Sequence, residues 1–79
     1  MAPISVLPSR QQRRVLAEIE MAIKRAERTR VQQLVDIKHL AEGGKGTAGA
    51  LVWLRRTDDH LGRLRRSRQA LLSGEAPPA

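Results

Sequence analysis

The hydrophobic positions in the first half of the chain recur every three or four residues. No Gly or Pro interrupts the segment from Arg10 to Glu42. Its apolar stripe comprises Val15, Ile19, Ile23, Ala26, Leu34, Ile37 and Ala41. Such spacing places the apolar side chains on one face of an α-helix. The pattern predicts a helix over residues 9–42, with Ser9 as its N-cap. At 1.5 Å per residue this helix is about 50 Å long.

A second amphipathic helix is predicted over residues 47–73. We expect Gly43 to end the first helix in the left-handed conformation that glycine tolerates. Thr47 is expected to cap the second helix through its side chain, and Gly74 to stop it. The second apolar stripe falls within about 100° of arc on a helical wheel. It comprises Trp53, Leu54, Thr57, Leu61, Leu64, Leu71 and Leu72.

Two long helices and a short Gly-rich connection predict an all-α, antiparallel two-helix hairpin over residues 9–74. Residues 1–8 are expected to form an extended arm and residues 75–79 a disordered tail. Two helices cannot fully cover each other's stripes, so we expect dimerisation or docking to complete a four-helix bundle. The predicted interface residues are Val15, Ile19, Ile23, Leu34, Ile37, Trp53, Leu54, Leu61, Leu64 and Leu71.

Two arginines interrupt the apolar stripes. Arg30 lies in the centre of the first stripe and Arg68 in the centre of the second. The register of the hairpin can be expressed as the sum of the numbers of two residues that face each other, which we expect to be about 91. In that register Arg30 falls about one turn from Asp58, and Arg68 falls between Glu20 and Glu27. These arginines either form ion pairs that fix the hairpin register or face a partner or a polyanion.

Composition limits the chemistry that the chain can perform. A chain of 79 residues buries little surface and usually needs a disulfide, a metal or a partner. It has no Cys, and His39 and His60 are far apart in sequence, so we expect no metal and no cofactor. Asp58, Asp59 and His60 are adjacent and spread around a helix, so we do not expect an enzyme. No apolar run is long enough for a membrane span and no secretory signal precedes the helices, so a cytoplasmic location is expected.

The charge of the chain points to a polyanionic partner. The formal net charge is +7, and 12 of the 15 basic residues are Arg. Several arginines fall on the face of the second helix opposite its stripe, and others lie near the start of the first helix, where we expect them to meet Arg66 in one basic end. The candidate nucleic-acid-binding residues are Arg10, Arg13, Arg14, Arg55, Arg56, Arg63 and Arg66. The alternative is a solvated face in which Arg55 and Arg56 pair with Asp59.

The connection "GGKGTAG" at residues 43–49 invites comparison with a phosphate-binding loop. The P-loop pattern requires Ser or Thr after the lysine, but Gly46 follows Lys45, and no strand precedes it. A weaker anion site remains possible where backbone N–H groups near Ala48–Ala50 lie beside Lys45. A helix-turn-helix needs a third helix that nothing in residues 10–30 provides. A membrane-surface helix, with a basic face and Trp53, is a further alternative.

Residues 34–56 resemble a segment of the glycolipid transfer protein family. The matching residues are "LVD" at 34–36, "KGTA" at 45–48 and "ALVWLRR" at 50–56. The resemblance implies an all-helical fold in which Trp53 stacks on a sugar headgroup. It covers about a third of the chain, and the D-x3-N-x2-K headgroup motif of that family is absent upstream. In architecture the chain also resembles small plasmid-type RNA-binding hairpin dimers.

The sequence therefore predicts a small basic helical protein that self-associates and binds DNA or RNA through arginines. The alternative is a non-enzymatic assembly or accessory subunit, such as a virion or large-complex component, that docks through its amphipathic helices.

Overall fold

The protein is an antiparallel helical hairpin. A computed structural model describes residues 10–74 of the chain. Helix α1 spans Arg10–Glu42 and helix α2 spans Ala48–Leu72, and no strand occurs in this range. The predicted all-α hairpin is confirmed, and the helix ends at residues 42, 48 and 72 agree with the predicted ones to within one residue. The predicted arm at 1–8, the Ser9 cap and the tail at 75–79 lie outside the described residues.

The turn after α1 is a Schellman motif. The N–H of Lys45 donates to the carbonyl of Leu40 at 2.8 Å, and the N–H of Gly44 donates to that of Ala41 at 3.1 Å. This pair of bonds satisfies carbonyls that the end of a helix leaves without partners. Gly44 has a φ of 71°, whereas Gly43 has no positive φ. The prediction that Gly43 takes the left-handed conformation was wrong by one residue, because the helical turn continues through Gly43.

The start of α2 also differs from the prediction. Thr47 is the N-cap, but its side chain makes no capping hydrogen bond. Its ψ of 0° departs from the extended backbone in which an N-cap side chain reaches the first N–H groups. At the other end of α2, Gly74 has a φ of 75° and its N–H donates to the carbonyl of Leu71. Gly74 therefore stops the helix as predicted.

The core of the hairpin is thin. Within residues 10–74 the buried hydrophobic side chains are Ala26, Leu61 and Ala70, and Leu61 is only 2% exposed. Six predicted interface residues are half-buried between the helices: Ile19, Ile23, Ile37, Leu54, Leu64 and Leu71. The side-chain oxygen of Gln33 is also buried and has no hydrogen-bond partner. The hairpin thus encloses one line of apolar side chains, interrupted by a polar residue.

Three predicted interface residues do not pack inside the hairpin. Val15, Leu34 and Trp53 are exposed, and Trp53 retains 59% of its accessible surface. On a helical wheel Leu34 and Trp53 lie about 60° from the centre of the line that faces the other helix, so one neighbouring helix does not cover them. Their assignment to an interface with another molecule stays a prediction.

Three ion pairs join the helices. Arg30 Nε lies 2.6 Å from Asp58 Oδ1, Arg65 lies 3.2 Å from Glu27, and Arg68 lies 3.3 Å from Glu20. Facing residue numbers therefore add up to 88–92, close to the predicted 91. Of the two alternatives for Arg30 and Arg68, the structure shows the ion pairs between the helices.

These ion pairs specify register more than they add stability. Their side chains are 42–60% exposed, and exposed ion pairs contribute about 0.2–1 kcal/mol each. A slip of α2 by seven residues in one direction would bring Arg30 opposite Arg65. The opposite slip would bring Glu27 opposite Asp58. Like charges would then face each other, so the pattern opposes both slips.

Candidate nucleic-acid interface

The ion pairs divide the basic residues into two groups. Arg30, Arg65 and Arg68 pair across the helices. The other twelve of the fifteen basic residues lie within residues 10–74, are all exposed, and take part in no ion pair there. Four acidic residues in this part of the chain also remain outside ion pairs: Glu18, Asp36, Glu42 and Asp59. The surface of the described hairpin is therefore strongly cationic.

The first cationic surface lies on α2, on the side away from α1. We call it the α2 cluster: Arg55, Arg56, Arg63 and Arg66. Each of the four lies about 120° or more around the helix from the line that packs on α1. At 1.5 Å per residue, the eleven-residue interval from Arg55 to Arg66 spans about 16 Å. The predicted Arg face of the second helix therefore exists and points to solvent.

The α2 cluster is not neutralised in the way that the alternative interpretation required. Asp59 forms no ion pair with Arg55 or Arg56 among the described residues. The guanidinium of Arg56 instead lies 5.0 Å from the centroid of the Trp53 ring. This cation–π contact orients the arginine but leaves its charge in place. The alternative pairing with Asp59 is therefore not observed, and the arginines remain available for an external anion.

A second cationic surface lies on α1, and the sequence reasoning missed it. We call it the α1 cluster: Lys24, Arg25 and Arg28. All three are exposed and point away from α2. The signal was present in the spacing, because Arg28 follows Lys24 by four residues and Arg25 by three, and residues so spaced are neighbours on a helix surface.

A third group lies at the start of α1. We call Arg10, Arg13 and Arg14 the α1 basic start, and all three are exposed. In the observed register Leu72, the last residue of α2, is level with residues 16–20, so these arginines lie on a part of α1 that extends past α2. Arg66 is level with residues 22–26, two to three turns from Arg14. The predicted single basic end was wrong, because α1 has 33 residues and α2 only 25.

The end of the hairpin next to the loop also carries exposed apolar side chains. We call this group the loop-end apolar patch, and its most exposed member is Val31, at 62%. Its members are Val31, Leu34, Val35, Leu51, Val52 and Trp53. Isolated exposed apolar side chains are ordinary, whereas larger exposed apolar patches are typical of surfaces that contact other molecules.

The side chains that could bind a metal ion are scattered over the described residues. Within residues 10–74 no group of three His, Cys, Asp or Glu side chains is placed to hold a metal ion. The grooves between the helices are lined by the ion-paired residues Glu20, Glu27, Arg30 and Asp58. The expectations of no enzyme, no cofactor and no metal stay predictions, as does the anion site beside Lys45.

Comparison of the chain with protein-family models, curated proteins and solved structures gives no match. The resemblance of residues 34–56 to the glycolipid transfer protein family therefore stays a prediction. Within residues 10–74, neither α1 nor α2 has an apolar stretch long enough to cross a membrane.

Proposed function

We propose that this protein is a self-associating helical hairpin that binds nucleic acid through the α2 cluster and the α1 basic start. One observation carries the proposal: every basic side chain that takes part in no interhelical ion pair is exposed. A net charge of +7 on a chain of 79 residues favours polyanions over neutral partners. A cytoplasmic location belongs to the same proposal.

The mechanism is contact between guanidinium groups and phosphates. Each arginine can donate two parallel hydrogen bonds to a phosphate. The span of the α2 cluster, about 16 Å, corresponds to about five base steps of a duplex at 3.4 Å each. Such contacts position the protein on the backbone and do not read bases, so binding is expected to be independent of sequence.

The test is a titration of fluorescent duplex DNA and of structured RNA, followed by anisotropy. If four arginines contact phosphates, the logarithm of the affinity falls with a slope of about −3.6 against the logarithm of salt concentration. The affinity then drops about 150-fold between about 50 mM and 200 mM salt. No binding at about 50 mM salt would exclude this function, because counterion release favours binding most at low salt.

A matched pair of variants locates the contact. R63Q/R66Q removes two charges from the α2 cluster, and K38Q/K45Q removes two charges near the loop. The first variant is expected to lower the magnitude of the salt slope by about 1.8 and the second to leave it unchanged. Equal effects of the two variants would mean that net charge, and not the α2 cluster, governs binding.

Self-association is proposed because the hairpin buries so few apolar side chains by itself. Small chains without disulfides or metals usually depend on a partner for stability. Sedimentation equilibrium and circular dichroism over a range of concentrations measure assembly and helicity together. We expect a dimer whose helicity falls on dilution, and a fully helical monomer would contradict the argument.

The loop-end apolar patch favours a second candidate function, that of a non-enzymatic assembly subunit docking on a larger protein. In this case L34Q/L51Q would abolish copurification of a defined partner, while R63Q/R66Q would not. Nuclease treatment before purification separates the two functions, because a partner held through nucleic acid would be lost by that treatment.

A further inference from the structure

The two cationic clusters lie at the same level of the hairpin. In the observed register residues 24–28 of α1 are level with residues 60–68 of α2, a range that includes Arg63 and Arg66. The sequence gives no direct indication of this, because Lys24 and Arg66 are 42 residues apart. Their proximity follows from the antiparallel register that the ion pairs define.

The two clusters also face in opposite directions. The residues of the α1 cluster lie on the side of α1 away from α2, and those of the α2 cluster lie on the side of α2 away from α1. All seven side chains are exposed. Of the acidic residues nearest to the clusters, Glu20 and Glu27 are engaged by Arg68 and Arg65. Asp59 is exposed on the same face of α2 as the α2 cluster, where four arginines outnumber this one carboxylate. A straight polyanion that contacts one cluster therefore cannot reach the other.

The thickness of the hairpin allows both clusters to be occupied at once. Two packed helices, each about 10–12 Å in diameter, place the outer surfaces about 20 Å apart. The Debye length is about 8 Å at physiological ionic strength. Two polyanions held on opposite sides are thus separated by more than two Debye lengths, and most of their mutual repulsion is screened.

We propose that one hairpin bridges two nucleic-acid duplexes, one on the α1 cluster and one on the α2 cluster. The inference rests on the proposed nucleic-acid binding and extends it from binding one duplex to joining two. No conformational change is required, because both clusters already face solvent. The bridged duplexes lie on opposite sides of the hairpin, with the ion-paired line between them.

The experiment measures bridging and binding separately. Donor-labelled and acceptor-labelled duplexes of about 15 base pairs, which match the roughly 50 Å length of α1, are mixed with the protein at about 50 mM salt. Energy transfer between the duplexes reports bridging. Anisotropy of the donor duplex alone reports binding. We expect energy transfer to rise with protein and to fall again in excess protein, when each hairpin holds at most one duplex.

Three charge-reversal variants test the roles of the clusters. R25E/R28E changes the α1 cluster, R63E/R66E changes the α2 cluster, and K38E/K45E makes the same charge change outside both. R25E/R28E is expected to retain binding to one duplex and to lose energy transfer. R63E/R66E is expected to weaken binding, because it reverses two charges of the α2 cluster, and to lose energy transfer as well. The control variant is expected to retain both signals. Circular dichroism confirms that all three variants are helical before they are compared.

The outcomes separate the two proposals. No anisotropy change with the unmodified protein would overturn both. Anisotropy without energy transfer would overturn bridging and leave nucleic-acid binding intact. Energy transfer that survives in R25E/R28E would also overturn bridging by one hairpin, because the α2 clusters of two associated chains would then be sufficient.

Discussion

Truncation of Leu61 tests whether the thin core described above stabilises the hairpin. Leu61 is 2% exposed and is the largest fully buried side chain within residues 10–74. Leu→Ala at buried positions costs about 2–5 kcal/mol, from lost burial and from the cavity that remains. Native proteins have about 0.05–0.15 kcal/mol of stability per residue, so the 65 described residues are expected to have about 3–10 kcal/mol in the self-associated state. L61A is therefore expected to remove a large fraction of it.

The matched control is L51A. Leu51 lies on the same helix and is 49% exposed, so the same substitution has the same effect on helix propensity but removes much less burial. Urea unfolding followed by circular dichroism measures both variants, and L51A is expected to cost less than about 1 kcal/mol. A cost for L61A below that of L51A would refute the assignment of Leu61 to the core. If L51A lowers the unfolding free energy strongly at high protein concentration but not at low concentration, Leu51 lies in a self-association interface.

Three further predictions concern single features of the hairpin. Q33L removes a buried side-chain oxygen that has no hydrogen-bond partner, so the melting temperature of the hairpin should rise. A lower melting temperature would mean that Gln33 is hydrogen-bonded in solution. A double-mutant cycle of R30Q and D58N should give a coupling free energy of about 0.2–1 kcal/mol, which high salt should reduce. A coupling free energy near zero at low salt would contradict the ion pair. G44A should cost about 1–2 kcal/mol because φ is positive there, while G46A, with open space around it, should cost less in the same denaturation assay.

The sequence was sufficient to predict most of the hairpin. An uninterrupted three-and-four spacing, a cluster of glycines and a second amphipathic run define two helices and a turn, and each signal is local. The pairing of Arg30 with Asp58 was also predictable, because a short connection leaves few registers available. Local signals were less informative at the turn, where the left-handed residue is set by the last helical hydrogen bonds and not by the first glycine.

The candidate site was less predictable, because it depends on which side chains the other helix covers. A helical wheel places Trp53 in the apolar arc, yet one partner helix is too narrow to cover it. The separation of Arg66 from Arg14 depends on the difference in length between α1 and α2. The relation of the α1 cluster to the α2 cluster depends on the register. Only the register shows that Lys24, Arg25 and Arg28 lie at the level of Arg63, on the opposite side of the hairpin.

The order of contacts along the hairpin has a consequence for how it opens. The pair Arg30–Asp58 joins residues 28 apart in sequence, whereas Glu20–Arg68 joins residues 48 apart. Closing the larger loop costs more chain entropy, so contacts near the turn are expected to form first and those at the other end to open first. Amide hydrogen exchange should accordingly be slower on the side of the turn and faster toward residue 10. The α1 basic start then lies on the segment that frays most readily, and a bound polyanion should slow exchange there.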